Sequence, residues 1–382
     1  MKSLDDFAKS KLDQLRQRRL HRAIKESVRE DGLWIERDGK RLLSFACNDY
    51  LNLTHHPALK EAAIDAIRRY GVGAGASRLV TGNHPLYAQL EGRLARLKGT
   101  EAACVFGSGY LANAGIVPVL IGQDGLVLVD ELAHSCLWAG AQLTRSKVLT
   151  FRHNDAAHLS ELLHRHRKQH NRAIILTDGV FSMDGDLAPL DEFSEIASRH
   201  DTWLMTDDAH GLGVVGDGRG SAAVHVAHVP LQMGTLSKAL GGYGGYICAS
   251  EAVIDLIRNR ARTLVYSTGL PPPVVAASIA AIDLIESDAA LVRRPVAKAR
   301  AFARLTNLPE AQSPIVPLLI GDETPTLRAS QMLADEGFLV PAIRPPSVPE
   351  GTSRLRLTFT AAHPDNEIER LAAIVRAQLS AH

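Results

Sequence analysis

From residue 102 onward the chain alternates short apolar runs with longer amphipathic stretches. The runs are AACVFG (102–107), GLVLVD (125–130), KVLTF (147–151), AIILTDGVF (173–181), WLMTDD (203–208) and PLQMGT (230–235). Helix-like stretches over 110–121, 156–169 and 188–199 separate most of them. Near-continuous apolar strands alternating with helices predict an α/β fold with a mostly parallel sheet covered on both faces. Ligands of such sheets sit beyond the carboxyl ends of the strands, so the loops there are where chemistry is expected. Upstream, Leu86, Leu90, Leu94 and Leu97 recur at helical spacing and predict a helix over 86–98. Residues 3–30 read as a charged amphipathic helix, followed by short strands at 34–36 and 41–45 around an Asp38-Gly39 turn. Downstream of a helix over 272–285, strands at 316–322, 338–343 and 352–360 and helices at 325–336 and 365–379 predict a small α/β unit. The expected organisation is an N-terminal segment 1–45, a large domain 46–285 and a smaller C-terminal α/β domain 286–382.

Composition narrows the function classes. With 382 residues, 22% charged and 46% apolar, the chain is an ordinary globular one, large enough for more than one core. A net charge of +1 provides no steering toward nucleic acid or an anionic membrane, so neither is expected as a partner. Arg16, Arg18 and Arg19 form a local basic cluster of the kind that marks a solvated helix face. The cysteines Cys47, Cys104, Cys136 and Cys248 have no CxxC spacing, which argues against a zinc knuckle and a disulfide framework. The N-terminus lacks an apolar core of signal-peptide length, and no run approaches the ~20 apolar residues of a membrane span. A cytoplasmic location is expected.

Three segments carry chemistry. Lys238 sits in TLSKALGG (235–242), where small neighbours would let a planar ligand approach the amine. A lysine amine forms an imine with an aldehyde, the anchoring chemistry of pyridoxal 5′-phosphate (PLP). Alone, such a lysine is most often a solvated surface residue. WLMTDDAHG (203–211) runs an apolar strand directly into two carboxylates and a histidine. A buried carboxylate there, Asp207, would keep a pyridine nitrogen protonated, and His210 could bond the phenolic oxygen. The rival metal reading of DDxH lacks further ligands in the sequence, and no metal is expected. FGSGYLAN (106–113) is a glycine-rich strand-to-helix turn that presents amides to a phosphate, with Thr235 as a second donor. One decoy is GLGVVG (211–216), a literal GxGxxG. DGRG follows it instead of a helix, so a dinucleotide site is not expected.

Six motifs in order then carry a resemblance: NDYL (48–51), GVGAGASRLVTG (71–82), DELAHS (130–135), GVFSMDGD (179–186), DDAHG (207–211) and TLSKALGG (235–242). The chain resembles the α-oxoamine synthases, fold-type I PLP-dependent transferases, over nearly its whole length. GASRLVTG, HND at 153–155 and the stretch 342–363 point toward members that condense L-alanine with a pimeloyl thioester. The resemblance implies that Lys238 is the Schiff-base lysine and later moves the Cα proton, with Asp207 on the ring nitrogen. It implies that His134 stacks on the ring, Ser182 and His210 contact its oxygen side, and Gly109, Tyr110 and Thr235 serve the phosphate. It implies that Lys238, His134, Asp207 and His210 are catalytic, and that Arg22, Asn48, His134, Ser347 and Arg356 face substrate. A homodimer is implied, with Tyr266-Ser267-Thr268-Gly269 reaching the partner's phosphate. Asp178 stands where glutamate is usual and Ser347 where threonine is usual; both keep the chemical type. Residue pattern alone leaves Arg354 and Arg356 as either a carboxylate clamp or a solvated sheet face, since both alternate with Leu355 and Leu357. His153 and the histidines at 164, 166 and 170 read as surface residues. Rival readings are related synthases using glycine or serine with other acyl thioesters, an aminotransferase, and a nucleotide-binding oxidoreductase.

Overall fold

The computed structural model describes residues 2–17, 20–29 and 32–378. Its alternating pattern folds into one seven-stranded sheet and two three-stranded ones. By internal contacts the chain divides into two units, residues 1–46 with 318–357 and residues 47–317 with 358–382.

The first unit begins with a helix, Lys2–Gln17, none of whose residues is buried. The predicted helix over 3–30 therefore stops short. The backbone at Val28 instead bridges Glu36, with N–H···O distances of 3.0 and 2.9 Å, and that pairing excludes a helix there. β1 (Trp34–Arg37) and β2 (Lys40–Ser44) form the predicted hairpin, and both Asp38 and Gly39 have positive φ as a tight two-residue turn requires.

In the second unit the central strands are β3 (Ala102–Phe106), β4 (Gly125–Asp130), β5 (Lys147–Phe151), β6 (Arg172–Asp178), β7 (Trp203–Asp207), β8 (Leu231–Thr235) and β9 (Gly245–Ala249). Their order is β3-β9-β8-β7-β6-β4-β5, with β9 antiparallel to both neighbours and β4 through β8 parallel. β9 is absent from the predicted strands because GYICA follows a glycine-rich loop with no helix between. Alternate residues enter different cores. Val127 and Val129 pack with Ile116, Val117 and Leu137 on one face. Leu126 and Leu128 pack with Leu159, Leu163 and Phe193 on the other. The chain leaves β4 in one direction to β5, then returns past it to β6. The loops after β4 and β6 consequently diverge, making a topological switch point.

The helix Leu86–Lys98 matches its expected bounds, burying Leu90, Leu94 and Leu97 and ending on Gly99 in the left-handed conformation. The boundary predicted near 286 falls between helices Pro272–Ser287 and Ala289–Leu305. Ile285 and Val292 share one core cluster across that junction, and Phe302 packs on Phe359 at 5.2 Å, so both helices stay with the second unit. β10 (Ile315–Gly321), β11 (Phe338–Leu339), β12 (Ala342–Ile343) and β13 (Ser353–Thr358) complete the strands. β11 joins β2 in parallel, while β10, β13 and β12 form the third sheet. Among the described residues no helix is long and apolar enough to cross a membrane.

Candidate active site

The carboxyl ends of the parallel strands converge on a cavity of about 250 Å³. Five loops contribute. Ser108, Gly109 and Tyr110 follow β3, His134 and Cys136 follow β4, and Asp178 and Val180 close β6. Asp207, Ala209 and His210 follow β7, and Thr235, Ser237 and Lys238 follow β8. A larger cavity of about 1040 Å³ opens at the amino ends of the same strands, beside Gly99, Arg172, Trp203 and Leu231. Lys98, which lines it, is neutralised by buried Asp208 at 2.6 Å, and among the described residues no nucleophile and base converge in it. The smaller cavity is the one equipped for chemistry.

Two adjacent carboxylates do different work. Asp208 faces away from the cavity, salt-bridged to Lys98 and accepting the Ser221 amide at 3.1 Å. Asp207 faces the cavity, held by the Asn113 amide nitrogen at 2.7 Å on one oxygen and by the Ala209 N–H at 3.0 Å on the other. Oδ2 also accepts the Cys136 thiol at 3.5 Å, which leaves Oδ1 with a further lone pair for a ligand N–H. In the β6–β7 register Asp178 lies directly opposite Asp207. Burial pushes the Asp178 carboxyl well above the carboxylate range and the charge of Asp207 adds to it, while Lys238 opposes. Burial and the neighbouring carboxylate thus both favour the neutral form of Asp178. Asp178 accepts the His134 N–H at 3.2 Å, and its other oxygen has no hydrogen-bond partner in the protein.

His134 is the N-cap of helix Ser135–Gln142, its Nδ1 accepting the Cys136 N–H at 3.3 Å. That bond fixes the ring's edge and leaves its exposed face toward the cavity. Burial and the Lys238 charge pull its pKa below the usual imidazole value, against Asp207, so the ring is neutral. His134, Cys136 and Asp207 bring potential metal-ligand atoms within 4.8 Å of one another. Burial pushes the Cys136 thiol far up, away from the thiolate a metal would need.

Lys238 Nζ lies 2.6 Å from His210 Nε2, and His210 Nδ1 lies 2.6 Å from the Tyr50 hydroxyl, which reaches Asn48 Oδ1 at 3.4 Å. This chain orders the lysine amine and gives its proton a path away from it. Also on the cavity, Ser108 caps the helix Gly109–Leu120 through the Leu111 N–H. The Gly109 and Tyr110 amides, at the helix start, have no intrahelical carbonyl to reach and suit an anion. Gly245 is needed there: a Cβ on it would meet the Ser108 carbonyl at 2.5 Å.

Lys238, His134, Asp207, His210, Gly109, Tyr110 and Thr235 are thus brought together as expected. Thr235 spends its hydroxyl on the Gly244 carbonyl at 2.7 Å, and the exposed Ser237 beside it, 2.7 Å away, is the freer hydroxyl. Ser182 is half-buried in the turn after β6, two residues past Val180, and is not part of the lining. Asn48 joins through Tyr50. Arg22, Ser347 and Arg356 belong to the first unit, where Arg22 donates to the Ser347 hydroxyl at 3.1 Å. Arg354 and Arg356 are both buried, so the solvated-face reading of that strand fails. GLGVVG folds into turns and a single 3-10 turn, Gly216–Gly218, with no long helix to receive a pyrophosphate. Asn113, Tyr50 and Ser237 lie within FGSGYLAN, NDYL and TLSKALGG, but the motifs assign them no role, and Cys136 follows DELAHS; the fold shows Asn113, Cys136 and Tyr50 reaching the site residues.

An amine, a carboxylate with a spare lone pair and an anion-ready helix start surround one cavity of a mostly parallel α/β sheet. They define the site of a fold-type I PLP-dependent transferase, and the donor set fits that cofactor. The chain matches Aminotransferase class I and II over residues 40–375 and belongs to that family. It is 62% identical over 377 residues to 8-amino-7-oxononanoate synthase of Beijerinckia indica, covering 98% of each chain. It is 59% identical to the enzyme of that name from Granulibacter bethesdensis, over 100% of this chain and 99% of the other. Serine palmitoyltransferase from S. paucimobilis with bound PLP superposes with a TM-score of 0.90 at 27% identity, over 98% of this chain and 97% of the other.

Proposed function

We propose that the chain condenses L-alanine with a pimeloyl thioester, on coenzyme A or a carrier protein, giving 8-amino-7-oxononanoate, the free thiol and CO2, a step of biotin biosynthesis. The observation that carries this reading is the convergence of Lys238, Asp207 and the Gly109–Tyr110 amides on one cavity, in a chain about 60% identical to synthases of that name. Bound there, PLP supplies an aldehyde carbon to hold the amino group and a protonated ring nitrogen that draws electron density from the amino-acid Cα. Asp207 keeps that nitrogen protonated, and Asn113 keeps Asp207 aimed. The Gly109 and Tyr110 amides, with Thr235 and Ser237, hold the phosphate. By the family resemblance His134 would lie against one face of the ring and His210 would serve its oxygen side, with Ser182 in the turn beyond the lining. With the amino acid bound, the Lys238 amine would take the Cα proton, and His210 and Tyr50 would relay charge from it. Arg22, Asn48, Ser347 and Arg356 are assigned to substrate by the family resemblance, the arginines as carboxylate clamps.

The active species is a homodimer. Exposed Leu79, Val80 and Tyr266 support this, because they lie on segments joined by the Ser77–Thr268 bridge and leave a shared apolar surface. The serine palmitoyltransferase neighbours favour a second reading, serine with a longer acyl thioester. One experiment separates the two: PLP-loaded protein is given L-alanine, glycine or L-serine with pimeloyl-CoA or palmitoyl-CoA, and thiol release is followed. Release confined to L-alanine with pimeloyl-CoA is expected. Preferential turnover of serine with palmitoyl-CoA would replace this reading with the second.

A further inference from the structure

His153, which reads as a surface residue in the sequence, is held between two carboxylates from different loops. Its Nδ1 lies 3.1 Å from Asp130 Oδ1 and its Nε2 2.8 Å from Asp186 Oδ2. An imidazole donates from both nitrogens only as the cation, so two carboxylates, one on each nitrogen, select the imidazolium. The ring stands edge-on against Phe181, centroids 4.3 Å apart. Asn154 repeats the link: its amide N–H donates to Asp130 at 2.9 Å and its side chain to Asp186 at 2.8 Å. Burial alone would lower the His153 pKa. The hydrogen bonds and charges of Asp130 and Asp186 outweigh it and push the value up to about 10.

What these carboxylates hold gives the pair its meaning. Asp130 ends β4, accepts the Leu132 N–H at 2.9 Å and, through its carbonyl, the Ala133 N–H at 3.0 Å. It thereby shapes the turn that delivers His134. The Asp186 carbonyl accepts the Phe181 N–H at 3.0 Å and closes the turn that carries Ser182. These are the loops after β4 and β6, the two that diverge at the switch point. We propose that His153 is a positioning residue, an imidazolium brace that ties the His134 turn to the Ser182 turn and sets their spacing across the cofactor site. The inference rests on the PLP reading only where it gives His134 and Ser182 cofactor roles.

The groups facing His153 are Asp130 from β4, Asp186 and Phe181 from the loop after β6, and Glu131, which accepts the His153 amide at 2.9 Å. On its own segment Arg152 is paired with Asp155 at 2.7 Å. The folded pKa is raised, so the brace is complete below the unfolded value of about 6.5 and is lost as pH climbs through about 10.

The test is a pH titration of the holoenzyme carrying 13C-labelled histidine, in wild type, His153→Gln and Asp186→Asn, alongside kcat, the visible cofactor band and the melting temperature. One histidine titrating near 10 is expected in wild type, missing in H153Q and shifted down by about one unit or more in D186N. H153Q and D186N should lose on the order of ten- to a hundredfold in kcat, the cost of loosened geometry. Their kcat should also lose the wild-type decline toward pH 10. A role confined to stability would lower the melting temperature and leave kcat per folded molecule unchanged. His153 titrating near its ordinary value, or both variants keeping wild-type kcat and band, would overturn the proposal. If H153Q fails to fold, D186N gives the same reading. A histidine titrating near 10 in protein with no visible band would sink the cofactor reading and leave the brace standing.

Discussion

Asp207 and Asp178 are the same residue type, directly opposite on neighbouring strands, yet Asp207 is held by Asn113 and Ala209 while burial pushes the Asp178 carboxyl above its ordinary range. Asp207→Asn should abolish turnover, because it removes the charge that holds a ring nitrogen protonated. Asp178→Asn copies the neutral form that burial favours there, so kcat should stay within a few-fold of wild type; steady-state kinetics of both variants checks the contrast. Asn113→Ala removes a charge-assisted donor at 2.7 Å from Asp207, an interaction of about 1.5–3 kcal/mol, so kcat should fall roughly ten- to a hundredfold. Lys238→Ala should lose both turnover and the visible absorbance of the bound imine. At this scale the sequence was informative where chemistry and local motif coincide: Lys238 in TLSKALGG, Asp207 in DDAHG. Asn113 and Tyr50 escaped notice because they act by convergence. Asn113 reaches Asp207 across 94 positions and Tyr50 reaches His210 across 160, separations no local pattern encodes.

The elements that matter most are strand ends and the turns they release. Apolar runs located six of the seven central strands, because a strand buried on both faces must be apolar throughout. The seventh, β9, follows a glycine-rich loop with no helix between and pairs antiparallel to both neighbours, so the strand–helix rhythm has no place for it. The predicted helix over 3–30 failed for a different reason. A polar segment has weak helical preference to set against the paired backbone that Val28 makes with β1. β9 also supports the Ser108–Gly109 turn through Gly245. Gly245→Ala should push the Ser108–Gly109 backbone out of place, lowering PLP affinity at least about tenfold while far-UV circular dichroism stays unchanged. Equilibrium dialysis of the variant against PLP measures that loss.

Across the whole molecule, the two units are each built from segments far apart in sequence, which is why a linear boundary near 286 does not describe them. Residues 358–382 return to the large unit after the small one is complete, and core contacts such as Phe302 with Phe359 decide their membership. The exposed Leu79, Val80 and Tyr266 belong at this scale too. Sedimentation should give a two-chain mass for wild type and a smaller species for Tyr266→Glu, with weaker PLP retention in the variant. The central claim is that Lys238 anchors PLP, and borohydride reduction of the PLP-loaded protein followed by peptide mass mapping tests it most directly. A pyridoxyl phosphate adduct on the peptide containing Lys238, absent from Lys238→Ala, is the expected result; an adduct on another lysine, or none at all, would contradict it.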